Sequence, residues 1–423
     1  MGRDSQERRR RRDAEAAPAR LDPEELLGDI DAWNLREDGG WLRFDARLED
    51  GARAYLRSRA GGDILADAPG PLYAILGIGG ARRAGFNAGP PQFRFNVLAP
   101  ADHIGAVGLE GTARAEPVSS LQHLPHRSRE ALVADHLLDL RYRDRRGLPL
   151  ILTRAETDAS ASLGALSGGL AMANLVTALD NLCMAAETLG RPAQVLAVGL
   201  EFGAEDLGTD STGFAEGIRA LMTRLSEEMR RRGLAPPVYL ACAENGDHPS
   251  TPAWWELAWC PGPHRLRITA PGYMAARDGF GRLTEAGRDM LAAMDAHALR
   301  AVEQGQDWLC PLPLLAEHRG AEIRVTFRAL ADLVVDAADL FGAGPAAGFA
   351  LTGDPAQITG VAIAPDDPQV VVLTLDRPLT GTAARLRLAI GGPSTLRDTW
   401  AAGGLHRWAL PADLPLHPQG TAP

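Results

Sequence analysis

Leu72-Tyr-Ala-Ile-Leu-Gly-Ile-Gly-Gly-Ala-Arg-Arg-Ala-Gly85 is a short apolar run that ends in a glycine-rich turn. A strand over Leu72 to Leu76 has no polar face, so it belongs at the centre of a sheet covered on both sides. The turn after such a strand is where an α/β protein usually places its chemistry. Here the turn holds Gly77, Gly79 and Gly80 and offers no nucleophile.

Outward from this stretch, strand and helix alternate to about Val302. Short apolar segments recur at Leu148 to Leu152, Gln194 to Leu200, Pro237 to Cys242 and Leu266 to Thr269. Between them Leu175, Leu179, Leu182, Ala186 and Leu189 keep helical spacing, as do Phe214, Ile218, Leu221, Leu225 and Met229. Thr284 is placed as the N-cap of a further helix through Met290, Leu291 and Met294. The alternation predicts a parallel sheet covered on both faces.

From Ala321 the period becomes two. Ala321 to Phe327, Asp332 to Asp336, Gly348 to Thr352, Ile358 to Ile363, Gln369 to Leu375, Ala384 to Ile390 and His406 to Leu410 read as short strands of an antiparallel sandwich. The boundary is expected near Pro311 to Gly320. On the N-terminal side, Trp41 to Leu48 and Ala52 to Arg57 flank a turn and predict a small hairpin that must pack on its neighbour. Before it, Arg8, Arg9, Arg10, Arg11 and Arg12 lie in a segment without apolar periodicity, an arm suited to an acidic surface. The expected division is an arm over 1–20, a β-rich segment over 21–70, an α/β domain over 71–315 and a sandwich over 316–423.

Composition sets the outer limits. With 423 residues, 45% hydrophobic and 23% charged, the chain can bury sizeable cores. A net charge of −10 disfavours a general nucleic-acid binder. No apolar run reaches membrane-spanning length, and the charged N-terminus lacks the apolar core of a secretory signal, which predicts synthesis in the cytoplasm. Cys183, Cys242, Cys260 and Cys310 are scattered without a C-x-x-C pair, so neither a disulfide framework nor a zinc site is expected. His123, His126 and His136, with Asp135 and Asp139, are read as a surface loop rather than a metal site, because Pro125 breaks helical ligand spacing.

The order of these segments resembles the SGNH (GDSL-like) hydrolase superfamily, in particular the carbohydrate O-acetylesterase branch and its phage-borne relatives. In that family the first strand ends in Gly-Gln-Ser-Asn; the matching residues here are Gly77, Ile78, Gly79 and Gly80, with Gly79 in place of the serine. The second block, around Ala155 to Gly168, puts Asp158 where a backbone amide should face the oxyanion, and a carboxylate there opposes the developing charge. The third block, Gln-Gly-Glu-x-Asp, corresponds to Phe202, Gly203, Ala204, Glu205 and Asp206. The last, Asp-Gly-x-His-Leu-Thr, corresponds to Asp278 to Thr284, with Arg282 where the histidine should be. Arginine stays protonated and takes no proton from a serine. Ser160, Ser162, Ser167 and Ser211 lack a strand-to-helix elbow and read as caps or turn residues.

Phage-borne relatives also carry a small β domain ending in the pattern seen at Leu396-Arg-Asp-Thr-Trp400 and Leu405-His-Arg-Trp-Ala-Leu-Pro411. The expected structural role is an Arg397–Asp398 pair with Trp400 and Trp408 filling a seam. Arg82, Arg83, Trp254, Trp255 and Trp259 are the candidates for glycan contact. The resemblance thus implies a flavodoxin-like three-layer α/β domain with a dead catalytic site, no cofactor and no metal. It implies a structural or glycan-recognising component of a phage-like particle: a head spike, fibre base or adsorption protein. Its partners would be further copies of the chain, capsid, spike or fibre proteins and cell-surface polysaccharide. The alternatives are an active O-acetylesterase with a non-standard nucleophile, Ser211 or Ser167, and a cytoplasmic sugar-binding protein.

Overall fold

In the computed structural model, the run from Leu72 is the central strand of a mainly parallel sheet. The structure describes residues 21–49, 51–108, 113–158, 161–202, 206–279, 281–381 and 383–420. The arm with Arg8 to Arg12, and Ser160, Gly203 and Ala204, lie outside the described residues. Across the sheet the strands run Arg265–Pro271, Val238–Ala243, Ala193–Glu201, Leu72–Gly79, Leu150–Thr157 and Val97–Pro100, with Leu121–His123 antiparallel at the far edge. This is the flavodoxin-like order expected. The central strand pairs in parallel on both sides, Gly79 lying opposite Thr157 on one neighbour and Glu201 on the other.

Its alternate residues feed two cores. Leu72, Ala74, Leu76 and Ile78 face the helices Leu170–Thr188 and Ser211–Arg231. Ile75, with Ala197 of the next strand, faces the helices Arg129–Arg143 and Glu285–Glu303. At positions 77 and 79 that second face carries only glycine, and this decides what the site holds. Thr284 caps the last helix as expected, its hydroxyl accepting from the Gly287 N–H. The helix Arg129–Arg143 was not expected, and it corrects the reading of the histidine region as a loop: His136 is helical, while His123 and His126 lie on short strands.

The N-terminal hairpin forms and is enlarged to a four-stranded antiparallel sheet, Ala32–Asp38, Trp41–Leu48, Gly51–Ser58 and Leu65–Ala66. It docks through the Trp41 indole N–H, which donates to the Thr188 carbonyl at 3.0 Å, and through Asp67, which holds Arg43 within the segment at 2.6 Å and Arg191 of the α/β domain at 3.3 Å.

All seven strands read in the C-terminal part are present, and three more join them: Leu312–Arg319, Leu396–Ala402 and Ala412–Pro418. The first shows that most of the segment Pro311 to Gly320 is a strand in the middle of the sandwich. A seven-stranded sheet runs Phe349–Thr352, Arg385–Leu388, Ala412–Pro418, Leu312–Arg319, Glu322–Arg328, Asp367–Leu375 and Ile358–Ala364. It is antiparallel except where Leu312–Arg319 meets Ala412–Pro418. A three-stranded sheet of Leu333–Val335, Leu396–Ala402 and Leu405–Trp408 completes the unit.

Trp400 and Trp408 do fill the seam with the α/β domain. Trp400 meets Trp308 and His297 edge-on at 4.9 and 5.3 Å, and Trp408 is buried in the core of the two-helix face. The expected Arg397–Asp398 pair is not formed. Arg397 binds Asp336 at 2.7 Å and Asp398 binds Arg407 at 2.6 Å, because neighbours on a strand point to opposite faces. Among the described residues, no helix is long and apolar enough to cross a membrane.

Candidate functional site

The site lies at the carboxyl ends of the parallel strands, around Gly79. The central strand stays extended through Gly79, and its turn begins only at Gly80, followed by a 3-10 turn over Ala81–Ala84. A side chain at position 79 has no room: a Cβ there would stand 1.8 Å from the Glu201 carbonyl oxygen of the neighbouring strand. No elbow is present to lift a nucleophile clear of the sheet.

The space left by the missing side chains of the strands is filled by charge. Arg83 turns back beneath the strand ends and is 3% exposed. Its Nε donates to Glu130 Oε1 at 2.7 Å, in the first turn of the helix Arg129–Arg143. Gly77 and Gly199 make room for the pair. A Cβ on Gly77 would meet Glu130 Oε1, and one on Gly199 would meet Arg83 Nη2, each at 1.8 Å. Beside them, Arg129 Nη1 donates to Glu201 Oε2 at 3.2 Å and Nε to Asp295 Oδ2 at 3.0 Å. The Thr269 hydroxyl donates to Asp295 Oδ1 at 2.6 Å.

The electrostatics of this network are self-contained. Burial pushes the Glu201 carboxyl upward, but Arg129 and Arg83 outweigh it and hold it below the usual carboxylate range. Burial likewise lowers Arg129, and Asp295 and Glu201 more than restore it. Glu201 and Arg129 therefore stay ionised and paired, and Glu201 is not poised near neutrality as a general base would be. Cys242, close to Arg129, is driven up to about 12 by burial and is no thiolate nucleophile.

Above the network the rim is also cross-tied. Arg82 and Arg277 share Glu244, at 2.7 and 3.1 Å. The next loop residues, Asp278 and Arg282, pair with each other at 3.0 Å, and Arg282 is 69% exposed at its side chain. Asn245, following Glu244, reaches the sandwich: its carbonyl accepts from the Gly391 N–H at 2.7 Å, and its side chain donates to the Gly392 carbonyl.

The residues singled out in the sequence thus separate. Asp158 lies beside Gly79, its N–H donating to the Gly79 carbonyl at 3.1 Å. Asp206 is buried and accepts from the Leu163 N–H, tying down the helix Leu163–Gly168. Ser162 caps that helix, and Ser167 bonds back to the Leu163 carbonyl. Ser211 is simply the first residue of the helix Ser211–Arg231.

Two of the glycan candidates are corrected by burial. Arg83 is sequestered as described, and Trp254 is buried against Phe214. Trp255 is partly buried and donates to the Pro313 carbonyl, while Trp259 is 50% exposed. The three histidines do not converge: His123 bonds the Ile64 carbonyl, His126 stacks on Phe86 and His136 pairs with Asp289. No group of side chains able to hold a metal ion occurs among the described residues.

Sequence reasoning missed the network of Arg129, Glu130, Glu201 and Asp295. Its one local sign was the missing side chain at Gly77 and Gly199, where strand residues facing a helix are normally bulky.

No protein-family model and no curated protein matches the chain. Among solved structures it is similar to a carbohydrate acetylesterase from Xanthomonas citri, at 15% identity and a TM-score of 0.52, over 90% of this chain and 86% of that one. A protein from Arabidopsis thaliana (11% identity, TM-score 0.38, 55% of this chain and 98% of that one) and NanS (10%, 0.38, 56% and 100%) are more distant. The likeness to the esterase is one of fold: the chain has a hydrolase-like α/β architecture.

Proposed function

We propose that this chain is a non-catalytic member of the SGNH-like hydrolase group, working as a structural or glycan-recognising component of a phage-like particle. The observation that carries the catalytic part is at Gly79. The position expected to hold the nucleophile cannot take a Cβ, and the volume beside it is occupied by the Arg83–Glu130 pair. Removing a nucleophile or base from a triad costs on the order of 10⁴ to 10⁶ in kcat, and here both positions are changed. Support for the particle role comes from the sequence pattern at Leu396 to Pro411 and from the arginine arm.

The test is hydrolysis of p-nitrophenyl acetate and of acetylated glycans by the whole chain. Wild type is expected to match the uncatalysed rate, and Gly79→Ser combined with Arg282→His to gain nothing. Turnover abolished by Ser167→Ala or Ser211→Ala would overturn the proposal. The particle role is checked separately, by mass spectrometry of particles purified from the producing cells; absence of the chain there removes that part.

A further inference from the structure

The rim of the site carries an exposed aromatic pair, Phe86 and His126. Directly after the 3-10 turn, Phe86–Ala88 pairs antiparallel with His126–Ser128 as a two-stranded ribbon. The Phe86 ring stacks on the His126 imidazole with centroids 4.9 Å apart and planes at 21°. Phe86 is 49% exposed, and His126 is exposed too.

An exposed phenylalanine is usually mobile, but here the backbone beneath it is pinned at each residue. Arg288 donates to the Phe86 carbonyl at 3.0 Å and to Asn87 Oδ1 at 3.0 Å. The buried Asn87 side chain donates to the Glu285 carbonyl, and the Ala88 N–H donates to Glu285 Oε1. Arg127 donates to the Ala88 carbonyl at 3.1 Å. Gly85 lets Arg288 through, since a Cβ there would stand 2.4 Å from its Nη1. The platform is therefore presented without an ordering cost at binding.

Its surroundings indicate the ligand. A stable protein contact takes about 800 Å² from each partner around an apolar centre. Phe86 is instead the one large exposed apolar side chain on the ribbon, set among Arg, Glu and Asn. A ring-sized ligand fits better, because weakly positive C–H groups on one face of a pyranose meet the negative face of an aromatic ring.

Around the ribbon, rim and loop stand five arginines: Arg82 and Arg277 bind Glu244, Arg282 binds Asp278, and Arg127 and Arg288 donate to the backbone carbonyls of Ala88 and Leu283, while Glu285 accepts from the Ala88 N–H. Among these rim side chains five are cationic and three, Glu244, Asp278 and Glu285, are anionic, in a chain of net charge −10. We infer that Phe86 and His126 form the stacking platform for a carboxylated pyranose of a polysaccharide, with the arginine rim meeting its carboxylate. This deepens the glycan-recognising reading above and rests on it, but moves the contact away from the tryptophans.

The experiment is affinity electrophoresis of the full chain through gels containing polygalacturonate or dextran. The wild type is expected to be retarded by polygalacturonate more than by dextran. Phe86→Ala weakens that retardation by up to about tenfold, the scale of one aromatic contact. Phe86→Tyr keeps it, and Trp259→Ala leaves it unchanged. Phe86→Ala alters no charge, so its effect separates stacking from the general attraction of arginines for a polyanion. Thermal melting by circular dichroism confirms that each variant folds.

Retardation of wild type that Phe86→Ala and His126→Ala leave intact would overturn the platform while the glycan reading stands. Equal retardation in both gels would overturn the selection for an acidic sugar. Wild type slowed by neither polymer would remove the platform and the glycan reading together. Self-association lost in Phe86→Ala would make the ribbon a protein contact and would also overturn the inference.

Discussion

Arg83→Ala leaves the Glu130 carboxylate buried without its cation, so the chain is expected to lose about 3–5 kcal/mol in urea unfolding. Replacing both members by methionine removes the charges together. That double variant is expected to recover most of the loss, since buried ion pairs are often exchanged for apolar residues without penalty. A double variant as unstable as Arg83→Ala would mean that the pair shapes the fold rather than merely filling it.

Asp135 offers a pH test on the same helix. It is buried and accepts from the N–H groups of Gln92 and Phe93 at 2.9 and 3.2 Å. Burial outweighs those bonds and raises its carboxyl from 3.8 to about 6. The folded state therefore holds this proton more tightly than the unfolded chain. The stabilisation is fully present below pH 3.8 and is lost as pH rises through about 6. Two pKa units correspond to roughly 3 kcal/mol. Asp135→Asn should flatten the stability profile between pH 4 and 7, as measured by urea titrations at stepped pH.

At the scale of elements, the seam between the α/β domain and the sandwich is aromatic and testable. Trp408 is 2% exposed, meets Phe341 at 4.9 Å and packs into the core shared with the helix Glu285–Glu303. Trp408→Ala should cost about 3–5 kcal/mol, and calorimetry should show the single melt dividing into two as the units lose their coupling.

Which elements could be read from sequence follows from where their partners lie. The run at Leu72 was legible because a strand buried on both faces declares itself in five consecutive residues. The helix Arg129–Arg143 was not, because Arg129, Glu130 and Asp135 are buried polar residues, and charge in a sequence normally marks solvent. The partners of Arg129 and Glu130, which are Arg83, Glu201 and Asp295, are far away along the chain, as are Gln92 and Phe93, which bond Asp135. The strands Leu312–Arg319 and Ala412–Pro418 were hidden by Pro313 and Pro415, which read as breakers although a neighbouring strand accommodates each. At the site, the missing serine and histidine were visible as Gly79 and Arg282. The charge that fills the vacated space was not, since only tertiary structure brings Arg83 and Glu130 together.

At the scale of the whole molecule, the three folded units foreseen from sequence are present, and the last of them is assembled in an unusual order. Ala412–Pro418 lies inside the seven-stranded sheet, between Arg385–Leu388 and Leu312–Arg319. Its register sets Ala316 opposite Leu416 on one side and Leu386 opposite Leu414 on the other. Until it arrives, the sheet is two pieces with two unsatisfied edges, each a template for mispairing. This strand is a keystone: the sandwich cannot close until residues 412–418 have been synthesised. Ending the chain at Pro411 should give a protein whose first two units fold while the third aggregates. A synthetic peptide of residues 410–420 supplied during refolding should slot into the gap and restore solubility, as sedimentation would show. The same vacancy would make the unfinished chain receptive to a strand from a second copy, so the sandwich stays open to exchange until its own strand arrives.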